Sequence, residues 1–383
     1  MLKMYFACLS ALAVLPASAQ PTVYASGLKN PSKIIVIPNG NLLVTEVDVT
    51  PNSGRVTRIA PGGSLMPLIS GLPSGLSAPN SEPDGTNGLA LSGRTLYVDN
   101  GEGDSYVNGT AAGTILPNPK GPSSPLFASI LQVTFTNDVD QLTAGFTLKL
   151  QDHFTLLDGT PVTIDNGSGD KATFQLLTAF RPGIPDPISI YRNSHPYGVT
   201  LYGPQPDSLF VNDAGMNLVY QVSLSTGRSH VLTRFPNIPS PLPAGSGPPA
   251  VEAVPTSITP YGNVLLVSLL SGFPFVPGLS AIMAVDPVTG AASPFIGGLT
   301  STTSVLYRTK EDGSNQWFAL EFSLNLGASS PPPGRLVSYT TPLGVTLADG
   351  LVTPTSMAVD PSSGTLYVTS LALGSVWQLD VGK

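Results

Sequence analysis

The chain has 383 residues, of which 40 are glycine and 39 are proline, a share well above the protein average and typical of a chain with many turns. Apolar residues make up 41% and charged residues only 11%, which excludes a disordered polyelectrolyte because such chains lack the apolar residues for a core. The net charge of −7 and the lack of any lysine or arginine cluster argue against nucleic acid or an anionic membrane as partner, since both are bound through basic residues.

The first nineteen residues have the pattern of a secretory signal peptide. Lys3 gives a positive start, residues 4–15 are mostly apolar, and residues 17–19 (Ala-Ser-Ala) form a small-residue cleavage site. We expect a secreted or periplasmic protein whose mature chain starts at Gln20. The only cysteine, Cys8, lies in this segment, so disulfides and cysteine-based zinc sites are excluded from the mature chain. No later segment is apolar over the ~18 residues that a membrane helix needs, so we expect no membrane insertion.

A pattern of short strands recurs six times along the mature chain. Each copy has an apolar strand, a turn rich in proline or glycine, and a second strand of the type Leu-apolar-Val. The first copy spans residues 27–59 and the last spans 354–379, and the copies between them centre on 93–98, 207–211, 262–267 and 315–320. The strands are rich in Val, Leu and Tyr, and no stretch has helical periodicity over a helix length, so the sequence predicts an all-β fold.

A fourth strand completes the repeat at residues 66–72, 294–299 and 345–351. Six four-stranded meanders arranged radially form a six-bladed β-propeller. The last copy supplies only three strands, whereas residues 22–28 fit the fourth-strand pattern at the other end of the chain. The sequence therefore predicts a ring closed by pairing of the N- and C-terminal strands.

Two segments interrupt the repeat, a polar stretch at 102–126 and a longer insertion at about 137–187. Within the insertion, apolar segments at 159–164 and 172–177 flank Asp165-Asn166-Gly167, a strong hairpin signal because type I′ turns need positive φ at both central residues. We predict a projecting hairpin, in one propeller domain spanning residues 20–383. Because other copies lack this segment, we expect its removal to leave the propeller folded.

Polar side chains are predicted to collect on one face of this propeller, because second strands end and first strands begin there. Second-strand ends supply Glu46, Asp99, Asn100, Asn212, Asp213 and Glu321, and first-strand starts supply His195 together with Asn30, Asn87, Thr256, Thr303 and Thr355. Carboxylate and amide oxygens are ligands that Ca²⁺ takes, so calcium is a candidate cofactor, with Glu46, Asn100 and Asp213 as candidate ligands. The alternative is a solvated rim of turn-forming residues, and Leu269 and Phe322 interrupt the ring.

Motifs for nucleophilic catalysis, zinc proteases, phosphate loops and dinucleotide binding do not occur. His195 is a candidate general base or metal ligand, or caps a turn. Residues 99–104 form the densest acidic segment, with Glu82 and Asp84 upstream. We interpret this segment as a simple turn. Phe273 and Phe275 lie in a proline-rich loop on the predicted polar face, where they either form a platform for a ligand or pack on their own blade.

The motifs at 193–198, 209–215, 254–257, 270–278 and 365–369 resemble the ScyD/ScyE family of exported bacterial propellers. The most specific is Ser-Gly-Phe-Pro-Phe-Val-Pro-Gly at 271–278. The segment 137–187 and His195, where the family more usually has Ser-Asn-Pro-Tyr-Gly, depart from the family pattern. The resemblance implies an exported propeller and assigns no catalytic residues.

Two functions remain open. The first is a monomeric binding module that presents Phe273, Phe275 and the acidic rim to a small-molecule or polymeric ligand. The second is a hydrolase similar to Ca²⁺-dependent six-bladed lactonases, in which a central cation polarises an ester carbonyl and activates water.

Overall fold

The structure, a computed structural model, describes residues 20–78, 81–110, 115–180, 193–340 and 343–382. The predicted signal peptide lies outside these residues. The described part is a six-bladed β-propeller, as the repeats predict, and each blade contains a four-stranded antiparallel meander. None of its helices is long and apolar enough to span a membrane.

The first blade follows a strand that belongs to the last one. Strand β1 (Thr22–Ser26) is the outer strand of blade 6, and blade 1 consists of β2 (Pro31–Val36), β3 (Leu42–Glu46), β4 (Gly54–Ile59) and β5 (Leu65–Leu72). A 3₁₀ turn (Pro38–Gly40) joins β2 to β3.

Blade 2 is the largest. Its segment of the chain contains β6 (Ser74–Ser77), β7 (Glu82–Ser92), β8 (Thr95–Asn100), β9 (Tyr106–Asn108), β10 (Ile115–Pro117), β11 (Ser129–Phe135), β12 (Phe146–Thr147), α1 (Leu150–Leu157), β13 (Val162–Asp165) and β14 (Lys171–Ala179). The blade sheet has the order β13-β14-β11-β8-β7-β6, β9 and β10 form a separate hairpin, and β12 pairs in parallel with β5 of blade 1.

The remaining blades follow the simple plan. Blade 3 consists of β15 (Pro196–Leu201), β16 (Ser208–Asp213), β17 (Leu218–Ser223) and β18 (Ser229–Arg234), and a small hairpin of β19 (Ile238–Pro239) and β20 (Ala250–Val251) follows it. Blade 4 consists of β21 (Pro255–Tyr261), β22 (Val264–Leu269), β23 (Ser280–Val285) and β24 (Ala292–Leu299). Blade 5 consists of β25 (Thr302–Thr309), β26 (Asn315–Glu321), β27 (Gly334–Tyr339) and β28 (Val345–Leu351).

Blade 6 closes the ring. It consists of β29 (Pro354–Val359), β30 (Thr365–Ser370) and β31 (Ser375–Asp380), with β1 as its outer strand. Thr22 pairs with Gln378, and Ser26 pairs with Ser375. The predicted closure by the terminal strands is therefore confirmed, and it leaves β31 with a partner on each side.

The first strands of the six blades surround a central channel, since each packs against the first strands of both neighbouring blades. The core is divided into six apolar clusters, and each fills the space between two adjacent blades. Alternation along the strands produces this division. On β3, Leu42 and Val44 pack towards blade 6, whereas Leu43 packs towards blade 2, because successive side chains point to opposite faces of a sheet.

The segment predicted as an insertion takes part in blade 2. Strand β14 pairs with β11 along its whole length and is therefore the fourth strand of the blade, with β13 outside it. Phe146, Leu156 and Phe174 are buried in the cluster between blades 1 and 2. The structure argues against the expectation that this segment could be removed without loss of the fold, because its removal would strip the blade of a strand and of core side chains. Residues 181–187 lie outside the described residues.

The hairpin signal around Asp165 marks a real hairpin with a different turn. Val162 pairs with Phe174 and Asp165 pairs with Lys171, so five residues connect the strands instead of two. Asn166 organises this loop, because its side-chain oxygen accepts hydrogen bonds from the backbone of Ser168 at 2.9 Å and Asp170 at 3.2 Å.

Candidate functional site

The face where second strands end carries a network of polar side chains between adjacent blades. Threonines at the starts of first strands, predicted as rim residues, each bind the backbone of the next blade. The bonds run from Thr256 Oγ1 to the carbonyl of Thr302 at 2.8 Å, from Thr303 Oγ1 to that of Pro354 at 3.1 Å, and from Thr355 Oγ1 to that of Pro31 at 2.9 Å. These hydroxyls therefore hold the ring together.

Between blades 2 and 3 the same face carries a compact titratable cluster of Asp84, Glu102 and His195. His195 Nε2 lies 3.1 Å from Asp84 Oδ1, and its Nδ1 lies 3.9 Å from Glu102 Oε2. Asp84 belongs to β7, Glu102 follows the end of β8, and His195 precedes β15. Each residue thus comes from a strand end that the propeller geometry brings to this face.

Neighbouring groups fix both carboxylates of the cluster. Asp84 accepts hydrogen bonds from the backbone nitrogen of Gly103 at 2.6 Å and from Asn87 Nδ2 at 3.0 Å. Glu102 accepts one from Ser77 Oγ at 2.9 Å and another from the side-chain amide of Asn193. The side chains of Asp84 and Glu102 are 7% and 1% exposed, whereas His195 is 14% exposed, so a ligand would reach the cluster through the imidazole.

The electrostatics of the cluster favour a charged imidazole. Burial acts to lower the pKa of His195, but the charges of Asp84, Glu102 and Asp213 and the hydrogen bond to Asp84 raise this pKa to about 10. Burial likewise acts to raise the pKa of Asp84, and the His195 charge and hydrogen bond outweigh it, so this pKa lies below its usual value. Burial raises the pKa of Glu102 to about 7. The neighbouring carboxylates therefore favour the protonated imidazole, which donates hydrogen bonds at neutral pH.

A second buried polar group lies deeper in the channel, around Lys33. Its Nζ donates a hydrogen bond to the carbonyl of Thr256 at 2.6 Å and lies 4.2 Å from the centre of the Tyr197 ring. Burial lowers the pKa of Lys33 to about 7, although the charge of Asp99 acts in the opposite direction. Burial also raises the pKa of Asp99 to about 7 and the pKa of Tyr197 above its usual value.

Asp99 and Asn212 each keep one buried oxygen without a hydrogen bond among the described residues. Asp99 Oδ1 accepts a hydrogen bond from the backbone of Gly88 at 2.6 Å, but its Oδ2 has no partner. Asn212 Nδ2 donates to the carbonyl of Pro255 at 2.8 Å, and its Oδ1 has no partner. These two residues, predicted as ligand-binding, therefore lie fully buried beneath the inner strands.

The three candidate cation ligands Glu46, Asn100 and Asp213 are each bound within the loops of a different blade. Asn100 forms hydrogen bonds with Thr86 at 3.3 Å and Ser129 at 3.3 Å. Asp213 accepts hydrogen bonds from the backbone of His195 at 2.8 Å and Met216 at 2.9 Å. Within the described part of the chain, no group of acidic and histidine side chains close enough to share an ion includes Glu46 or Asp213, and a calcium site built from the three candidates stays a prediction.

Glu46 and Glu321 occupy equivalent positions in blades 1 and 5, and each faces an arginine on the third strand. Glu46 pairs across the sheet with Arg55, and Glu321 pairs with Arg335. The distance from Arg55 Nη2 to Glu46 Oε2 is 3.6 Å, and the distance from Arg335 Nε to Glu321 Oε2 is 2.5 Å. Both glutamates thus belong to ion pairs of the repeat, which the Gly-Arg sequence at 54–55 and 334–335 could have indicated.

Phe273 and Phe275 lie in the loop after β22, on the same face as the titratable cluster. Phe273 is 72% exposed, and its ring lies 6.2 Å from that of Phe275 at an angle of 89°. The loop is anchored by the hydrogen bond from the backbone of Gly272 to that of Glu252 at 2.7 Å. Among the described residues each ring has its aromatic contact only with the other, so they form a separate apolar feature.

Sequence reasoning missed the roles of Asp84, Glu102 and Lys33. The sequence of the acidic segment at 99–104 predicts a simple turn, whereas in the structure Glu102 and Asp84 lie beside His195. A signal for Lys33 exists in the repeats, because equivalent first-strand positions hold Gly88, Gly198, Ser257, Ser304 and Ser356. Lys33 thus stands at a position where the other five blades have glycine or serine, and this difference indicates a special role for Lys33 in the channel.

The cluster offers three ligand atoms, from Asp84, Glu102 and His195, within 4.8 Å of one another, and so could hold a metal ion. The donor set is two carboxylates and one imidazole. Ca²⁺ takes six to eight oxygen ligands, so the two carboxylates would supply only part of a calcium coordination shell.

No protein-family model matches the sequence, and no curated protein sequence matches it at a significant level. Solved structures are similar in fold. A structural genomics protein of unknown function from Bacteroides thetaiotaomicron is 10% identical, covers 95% of this chain and 76% of its own, and has a TM-score of 0.52. An auxiliary nutrient binding protein from the same organism is 8% identical, covers 92% and 69%, and has a TM-score of 0.51. Such low identities show a shared fold alone.

Proposed function

We propose that the protein is an exported binding module of the ScyD/ScyE type, which captures a small-molecule or polymeric ligand on the face that carries Phe273 and Phe275. The exposure of Phe273 carries the proposal. An aromatic ring that is 72% exposed beside a second ring at a right angle is an apolar surface on an otherwise polar face. Aromatic side chains with this geometry bind flat apolar groups by stacking and edge contacts.

The charge state of the cluster supports binding over chemistry. With a pKa of about 10, His195 stays protonated at neutral pH, and Asp84 is held beside it as its counterion. The pair presents a fixed hydrogen-bonding dipole beside the channel, and the surrounding carboxylates favour the protonated imidazole over the free base. Glu102, whose pKa is raised to about 7 by burial, adds a group that can accept or donate a proton in a hydrogen bond to a ligand.

The test is direct binding of two probes, 2-naphthol and a soluble glucan, to residues 20–383 by titration calorimetry. Phe273→Ala and Phe275→Ala should each weaken capture of a probe that binds by about 1 to 3 kcal/mol, or about 5- to 150-fold. Val288→Ala is the matched control, because Val288 is 86% exposed and lies in the turn between β23 and β24, on the opposite face. If neither probe binds, or if all three variants bind equally well, the aromatic-platform proposal fails.

The second candidate is a metal-dependent lactonase or esterase, and the Asp84-Glu102-His195 group favours it. A histidine binds a metal through its neutral imidazole. This function therefore requires His195 to lose its proton when the metal binds beside Asp84 and Glu102. Hydrolysis of a lactone or aryl ester that is lost with chelator, and lost in Glu102→Gln while the fold is retained, would replace the binding proposal. The candidate ligand set of Glu46, Asn100 and Asp213 with calcium predicts instead that Glu46→Gln removes the activity.

A further inference from the structure

The central channel contains a cavity of about 650 Å³ on the side away from the titratable cluster. Its walls are formed by the first strands of all six blades. The layer nearest the cluster contributes one residue from each blade, at equivalent positions: Lys33, Gly88, Gly198, Ser257, Ser304 and Ser356. None of the described residues closer to the cluster lines it, so the described lining ends at this layer and extends towards the exposed turns at Pro38, Gly93 and Pro361 on the opposite face.

Among the described residues, Lys33 is the only one with an ionisable side chain that lines this cavity. Its side chain crosses the channel from blade 1 to blade 4, where Nζ binds the carbonyl of Thr256. An ammonium group has three donors, and this carbonyl satisfies one of them, with the Tyr197 ring beside it. No carboxylate of the described residues lies within ion-pair distance of Nζ. The closed end of the cavity is therefore lined by a lysine whose amino group uses only part of its hydrogen-bonding capacity, and a bound anion would favour its charged form.

A second group at the same end lacks a partner. Ser304 is 5% exposed and lines the cavity, and its hydroxyl forms no hydrogen bond with any described residue. The equivalent Ser257 hydroxyl, in contrast, is bound to Ser268 Oγ at 2.7 Å and to the backbone of Val305 at 3.0 Å. The Ser304 hydroxyl is therefore available to a ligand or to water in the cavity.

Beyond this layer the walls are mostly apolar, with Ile34, Leu89, Val199, Ile258 and Val305 at equivalent positions of adjacent blades, and Thr200 and Thr259 also line them. Ligand sites for small molecules enclose about 300 to 1,000 Å³ and combine apolar walls with a few polar groups that fix orientation. We propose that the channel binds a small monoanion with an apolar body, such as a medium-chain carboxylate, whose charged group meets Lys33 and Ser304. The carboxylate of such an anion accepts hydrogen bonds from Lys33 and Ser304, and its alkyl chain packs against the apolar walls.

The site is separate from the proposed aromatic platform, because it opens on the other face of the propeller. Its chemistry also differs. The cluster of Asp84, Glu102 and His195 contains two carboxylates, whereas the cavity lining contains one basic residue, Lys33, and no acidic one among the described residues. The two sites can therefore be tested independently.

The experiment uses octanoate and octan-1-ol as probes, with residues 20–383 studied by titration calorimetry and thermal unfolding. Octanoate should bind, should raise the thermal midpoint, and should bind more tightly than octan-1-ol. Lys33→Met retains the length of the side chain without its charge, and should weaken octanoate by about 10- to 100-fold, the effect of a charge-assisted hydrogen bond. Octan-1-ol should bind the wild type and Lys33→Met equally.

Two further variants keep the test decisive. Lys29→Met removes an exposed lysine, 55% exposed, and should leave octanoate binding unchanged. Val359→Trp narrows the cavity near its open end and should weaken binding while Lys33 is retained. The proposal is overturned if octanoate fails to bind the wild type at millimolar concentration, if it binds Lys33→Met as tightly as the wild type, or if Val359→Trp has no effect.

Discussion

Replacing Phe174 with alanine tests whether the long segment of blade 2 belongs to the core. Phe174 is 0% exposed in β14, and it packs in the cluster between blades 1 and 2 together with Leu156 of α1. Truncation of a fully buried phenylalanine to alanine lowers the unfolding free energy of a protein by about 3 to 5 kcal/mol, because the transfer free energy of the ring is lost and a cavity remains. We expect this loss for Phe174→Ala in urea unfolding followed by tryptophan fluorescence.

The neighbouring Gln175 provides the control. It lies on the same strand and is exposed, so Gln175→Ala should change the unfolding free energy by no more than about 0.5 kcal/mol. Leu156→Ala should cost about 2 to 5 kcal/mol, and the double variant with Phe174→Ala should cost other than the sum, since both side chains share one cluster. If Phe174→Ala behaved like Gln175→Ala, β14 would be surface decoration and the assignment of the fourth strand would be refuted.

Two other predictions concern ring closure and the charged cluster. Deletion of residues 22–28 removes the partner of β31 and the buried side chain of Ala25, so the thermal midpoint should fall and aggregation should rise; an unchanged midpoint and solubility would contradict the closure. Because the pKa of His195 is raised from 6.5 to about 10, its stabilising contribution is complete below pH 6.5 and is lost as the pH rises through 10. The difference in unfolding free energy between the wild type and His195→Gln should therefore be largest in mildly acidic buffer and disappear near pH 10. A difference that stays constant over this pH range would show that the pair of His195 and Asp84 is not the source of the stabilisation.

The blade count and the ring closure were predictable because both depend on strand patterns that are local in sequence. Residues 42–45 and 366–369 have the same apolar-polar order, and the structure places both as second strands of their blades. The fourth strand of blade 2 was not predictable in this way. Its partner β11 ends at Phe135 and β14 starts at Lys171, so the usual spacing between third and fourth strands was hidden by β12, α1 and β13.

The site was predictable as a face but not as a set of contacts. The topology alone brings strand ends together, which is why His195 was identified as a candidate. Which acids reach it depends on side-chain direction within loops, and Glu102 turns inward because Ser77 and Asn193 bind its carboxylate. The sequence also predicts Glu46 and Asp213 as ligand-binding residues. In the structure, Glu46 lies beside Arg55, and Asp213 accepts a hydrogen bond from the backbone of His195.

The pairing of β1 with β31 also determines when the molecule can become complete. Thr22 is joined to Gln378, so nearly the whole chain lies between the two residues of this contact. Contacts of such high sequence separation form slowly, because the entropy cost of closing the long loop comes before the strand pairing stabilises the fold. During synthesis, the first strand to emerge therefore waits without its partner until the last strand has been made, and blades 1 to 5 can assemble before blade 6 closes the circle.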